Sequence, residues 1–158
     1  MRLDYIKNGI DMEYFGTAKE IVPPMLALVS RGEGFWLTVT GYSMTPTLIH
    51  LKDQVFISPL ISNVKKGDIL LTRYNEESCL LHRVVKRDGE MLYYKGDALN
   101  YREGPLPVSS VIGIATRVKH NGKINSIDPR FNLKSVIFLR TWRLKNRVLR
   151  ALHGFTKK

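Results

Sequence analysis

Between residues 35 and 119 the chain is a run of short apolar segments, cut at regular intervals by turn residues. The segments are FWLTVT (35–40), DQVFIS (53–58), DILLTR (68–73), SCLLHRVVKR (78–87), MLYYK (91–95) and SVIGIATRVK (110–119). They are rich in β-branched and aromatic residues, which suit a pleated, half-buried surface. KKGD and RDGE between them, and HNGK after the last, are hairpin signals. Such a succession predicts a mainly β domain, a barrel or sandwich of antiparallel strands. Ahead of it, TAKEIVPPMLALVS (17–30) suits a short helix. Its Pro23 and Pro24 are expected in the first turn, and Gly32 and Gly34 end it. Residues 1–15 carry no clear pattern.

The domain organisation predicted is a helical lead-in over 1–34, a β domain over 35–128 and a tail over 129–158. Charge separates the last two. Of the 25 Lys and Arg, nine lie between Arg130 and Lys158, beyond Asp128, the last acidic residue. Residues 1–128, with the remaining sixteen Lys and Arg against fourteen Asp and Glu, are therefore close to neutral, whereas the tail is strongly basic. At 100° per residue, Arg140, Arg143, Arg147 and Arg150 form one stripe, with Ile137, Leu144, Val148, Ala151 and Leu152 beside it. An amphipathic helix over 134–153 is expected. Its partners stay open: the domain itself with the arginines in water, a membrane surface, or another acidic partner, nucleic acid resting on charge alone.

The start, MRLDYIKNGIDMEYF, has no continuous apolar stretch of the kind a secretory signal needs. Nothing reaches the roughly 18 apolar residues that span a bilayer. A single cysteine, Cys79, excludes an internal disulfide framework and a CxxC metal site. It reads as a small strand hydrophobe. No metal or cofactor is expected.

One short stretch invites chemistry. GYSMTPTL (41–48) follows an apolar strand and places Ser43 on a bend between Gly41 and Pro46. Such a bend holds a hydroxyl in place with backbone N–H groups near it, the pairing that acyl transfer needs. A Gly-x-Ser turn is by itself often only a turn, and a serine nucleophile also requires a base. Of the four histidines, His153 is in the tail, His120 is in the HNG turn and His50 is in a loop after the serine bend. His82 alone lies inside an apolar strand, as a core histidine or as one fixed for chemistry.

In order, the chain reads GYSMTPTL, KKGDILL, LHRVV, YYKGDALN and VIGIA. This succession, spanning about residues 36–119, resembles the S24/S26 serine peptidases, the signal-peptidase and LexA-like superfamily. It is most similar to the archaeal, endoplasmic-reticulum and sporulation-type signal peptidases with a histidine base. The resemblance implies a LexA-like β fold and a serine endopeptidase that cleaves an extended leader or signal-like peptide. It implies Ser43 as nucleophile and His82 as base, where leader peptidases and self-cleaving repressors use lysine. An imidazole takes a proton near neutral pH without the desolvation a lysine needs. The third member implied is a carboxylate near the KGD box, either Asp97 or Glu103. Gly41 stands where some relatives carry a hydroxyl donor, so a backbone donor is expected beside the Ser43 N–H. Met44 is expected along the substrate groove. Asp68 in KKGD reads as a turn residue.

Unlike the signal peptidases, the sequence shows no membrane-spanning anchor, and unlike the repressors it shows no helix-turn-helix pattern. The expectation is a cytoplasmic peptidase domain that acts on a peptide or protein substrate and can meet the inner membrane face through its tail. Two alternatives remain: an inactive peptide-binding module of the same fold, and a regulator that binds an acidic partner through the tail.

Overall fold

The computed structural model describes residues 2–7 and 10–127, with side chains from Gly16 onward. The basic helix expected over 134–153 lies outside the described residues. Two strands, β1 (Arg2–Lys7) and β2 (Ile10–Phe15), precede a helix, α1 (Ala18–Ser30). Then come β3 (Phe35–Thr38), β4 (Asp53–Ser58), β5 (Ile69–Arg73), β6 (Cys79–Asp88) and β7 (Met91–Lys95). β8 (Glu103–Pro107), a 3-10 turn (Val108–Ser110), β9 (Val111–His120) and β10 (Lys123–Ser126) complete the order. The mainly β architecture expected from the sequence is observed.

The strands form one sheet in the order β2-β1-β3-β4-β9-β5-β6-β7-β8, with β10 also on β9. Every pairing is antiparallel. Register shifts interrupt β4/β9, β5/β9, β6/β7 and β7/β8. Such bulges bend strands and increase their twist, which lets one sheet present both faces to apolar cores. β5 shows this directly. Ile69 and Leu71 enter a core with α1, β3 and β4, whereas Leu70 enters a second one with Val64, Val84, Leu92 and Tyr94. Burial on both faces is why ILLTR reads as a continuous apolar run instead of alternating.

The lead-in is not helical throughout, since β1 and β2 form a hairpin that continues the sheet beside β3. α1 starts where the sequence placed it, with the Glu20 carboxylate accepting from the Thr17 N–H and hydroxyl at 2.7 and 2.9 Å. Its prolines depart from expectation. Pro23 and Pro24 lie inside the helix, past the first turn. Each interior proline costs about 3 kcal/mol through a lost N–H bond and a steric clash. Lys19 and Glu20, whose carbonyls lose their donors, are exposed, so water can reach the carbonyls left over. The opposite face buries Ile21, Val22, Met25 and Leu28. At about 1.5–3 kcal/mol per large apolar side chain, that burial offsets the two prolines.

Candidate active site

The turn after β3 is anchored from below. Met44 and Leu48 are buried in the α1 core, so the residues around them are held at the surface above it. Within the turn, the Thr45 N–H donates to the Tyr42 carbonyl at 3.1 Å and the Leu48 N–H to the Met44 carbonyl at 3.0 Å. Gly41 enters it at φ 86°, a left-handed conformation in which glycine bears no steric cost. Ser43 is held from the other side by the KGDA stretch. The Ala98 N–H donates to the Ser43 carbonyl at 2.8 Å. Gly96 approaches so closely that a Cβ there would lie 2.6 Å from the same oxygen. Glycine in this box is thus a packing requirement of the serine turn.

His82 comes from β6, opposite Leu70 on β5, and is 4% exposed. Its Nε2 lies 2.8 Å from Ser43 Oγ, across 39 residues of sequence. Its Nδ1 faces Glu103 Oε2 in an ion-pair contact, and neither of these two atoms has a hydrogen-bond partner among the described residues. A ring carrying its proton on Nδ1, beside the carboxylate, would turn the Nε2 lone pair to the serine hydroxyl. A half-buried carboxylate in that place can hold the imidazole in one tautomer and stabilise its protonated form.

Asp97 does not meet the histidine. Its two oxygens accept from Arg83 Nε at 2.9 Å and Arg83 Nη2 at 2.7 Å, and Oδ2 also accepts from the Thr47 hydroxyl. Arg83 further donates to the Gly67 carbonyl at 2.9 Å. Of the two carboxylates left open by the sequence, Glu103 lies against the imidazole. Asp97 is instead neutralised by Arg83 and ties the serine turn, through Thr47, to β6. The reason is the pleat: neighbouring residues on a strand point to opposite sides, so His82 and Arg83 reach different carboxylates. Asp68 caps its turn as expected, accepting the Lys65 N–H at 2.8 Å.

A cleft of about 170 Å³ opens beside the hydroxyl. The end of β3 with the chain to Gly41 forms one wall, Cys79–His82 of β6 the other, and Met44 and Leu71 lie between. Met44 thus lines the groove while being buried at 2% exposure. Gly41 lines it too, but its N–H is taken by His50 Nδ1 at 3.0 Å and cannot serve an oxyanion. By contrast, no acceptor among the described residues takes the Ser43 N–H. Cys79 packs against the core, and burial pushes its thiol up from the usual range. It is a poor nucleophile there.

Three neighbours were not singled out by the sequence. Arg83 and Thr47 carry ordinary polar signals, and His50 reads as a loop residue. Only a view of the tertiary contacts brings them to the serine turn. His120, in the HNG turn, is exposed, yet its Nδ1 contacts the buried Asp53.

The chain has no match among curated proteins or solved structures. A family model does match: Peptidase S24-like, over residues 5–116. That span takes in the serine turn, the histidine strand and Glu103 together, so the chain belongs to the Peptidase S24-like family.

Proposed function

We propose that the protein is a serine endopeptidase that cleaves an extended leader or signal-like peptide, with Ser43 as nucleophile, His82 as base and Glu103 as the carboxylate behind it. The observation that carries this is the succession of contacts from Ser43 Oγ to His82 Nε2 and from His82 Nδ1 to Glu103 Oε2 at the mouth of a cleft.

In the first half-reaction Ser43 Oγ attacks the scissile carbonyl carbon while His82 Nε2 takes the hydroxyl proton. The carbonyl electrons move onto oxygen, and the Ser43 N–H donates to that oxyanion. One such donor is worth about 2.7–4 kcal/mol in a preorganised site. The same proton then passes to the departing amine, leaving an acyl ester on Ser43. Water, deprotonated by His82, attacks the ester, the acid product leaves and Ser43 recovers its proton.

The substrate class follows from the walls of the cleft. Cys79–His82 pair with β5 on one side, while β7 pairs only from Arg83 onward. The opposite edge of that stretch offers main-chain hydrogen bonds to an added strand, the usual way of gripping an extended peptide. The cleft is smaller than the roughly 300 Å³ at which drug-sized pockets begin, which favours small side chains beside the scissile bond.

A fluorophosphonate probe tests the assignment. The parent is expected to gain one phosphonyl group on Ser43, and Ser43→Ala none, with peptide hydrolysis falling by about 10⁶-fold. If the parent stays unlabelled, the cleft is that of a peptide-binding module. If Ser43→Ala still cleaves at the parental rate, the nucleophile lies elsewhere.

A further inference from the structure

A second histidine contacts the serine turn, through Gly41 and Tyr42. His50 sits in the loop between that turn and β4, and the loop is pinned on either side of it. The Leu51 N–H donates to the Val39 carbonyl at 2.8 Å, and the Ile49 N–H donates to Asp53 Oδ2 at 2.7 Å. Asp53 is itself 2% exposed, and its other oxygen contacts His120. From this fixed base the His50 ring tilts over Tyr42, their centroids 4.5 Å apart, and its Nδ1 accepts the Gly41 N–H at 3.0 Å.

The contact falls where the turn is least constrained by its own chemistry. Gly41 has no side chain, and nothing lies within 4 Å of where its Cβ would be. Its peptide plane can swing between conformations that other residues cannot reach. Only Tyr42 separates it from Ser43, so a swing there moves the hydroxyl relative to a base held on a different strand. An acceptor on the Gly41 amide removes that freedom.

We propose that His50 is a positioning residue for the Ser43 nucleophile, its Nδ1 lone pair fixing the Gly41 amide so that Ser43 Oγ stays on His82. This rests on Ser43 being the nucleophile. The ring acts here as a hydrogen-bond acceptor and exchanges no proton with substrate. Two substitutions separate the acceptor from the ring. Asn places its Oδ1 as far from the backbone as His places Nδ1, so His50→Asn keeps the acceptor. His50→Phe keeps a ring against Tyr42 and has no lone pair.

The rate of fluorophosphonate labelling, normalised to folded protein, is the first measurement. His50→Phe is expected to label about 10- to 100-fold more slowly, the scale of a misplaced reacting group, and His50→Asn within about threefold of the parent. With a cleavable peptide the loss should fall on kcat and leave KM nearly unchanged. Parental labelling by His50→Phe overturns the proposal, as does equal damage in both variants. The second measurement needs neither a variant nor activity: hydrogen exchange at the Gly41 amide of the parent protein. Protection well beyond an open turn is expected. Exchange at the unprotected rate overturns the proposal, even where the variants fail to fold or the parent itself takes no label, which would count against the nucleophile assignment instead.

Discussion

His82 and Arg83 are consecutive residues on one strand, each buried and each facing a carboxylate, yet their surroundings differ. The Arg83–Asp97 pair is closed: two parallel hydrogen bonds, with Thr47 and the Gly67 carbonyl taking further valences. The His82–Glu103 pair is open at one end, where Nε2 meets a hydroxyl beside a cleft. A closed ion pair holds parts together, whereas an open one can pass a proton on. Side by side, they show that a carboxylate's role in this site is set by its partner and not by its place in a sequence box.

The comparison can be broken by removing each carboxylate in turn. Glu103→Gln keeps size and some hydrogen bonding but no longer stabilises a protonated imidazole. The expected result is a fall of about 10³- to 10⁴-fold in kcat with an unchanged melting temperature. A loss of less than tenfold would make Glu103 a bystander. Asp97→Ala should do the opposite. It leaves Arg83 buried without its main counter-charge, a cost of about 3–5 kcal/mol. For a chain of this size the melting point should drop by about 10 °C, while the molecules still folded keep most of their labelling rate. The double variant Arg83→Met with Asp97→Leu should recover much of that stability. If Asp97→Ala abolishes labelling without loss of stability, the division of roles is wrong. The smallest effect concerns Cys79 on the cleft wall. Because burial raises its thiol, the thiolate is scarce at pH 8 and grows only as pH rises past the ordinary thiol range. Iodoacetamide should therefore modify it more slowly than a free thiol at pH 8. Cys79→Ala should change stability by about 1 kcal/mol or less. Rapid alkylation at pH 7 would refute this account of the thiol.

Much of the central sheet was legible because its strands alternate or run apolar between strong turns. DQVFIS and MLYYK coincide with β4 and β7. Strands without that signature escaped. β10 is exposed along its whole length and so has no apolar rhythm to read. β8, EGPLP, holds two prolines, which argue for a loop unless the strand lies at a sheet edge, as it does. That gap mattered for the site. Without β8 nothing in the sequence says that Glu103 returns beside His82, so Asp97 and Glu103 stay level. The serine turn and the histidine strand stand out by pattern, but their approach over 39 residues is a property of the assembled sheet. His50 is less visible still, since its one telling contact is with a backbone amide.

Glu103 is the first residue of β8, and β8 is the last strand of the sheet, held by β7 alone among the described residues and through an interrupted register. Outermost strands peel more readily than the interior they border. The least securely moored member of the constellation is therefore the acid. Warming the molecule should slacken its chemistry through this one frayed seam, with hydroxyl and ring still in place, before the bulk of the architecture gives way.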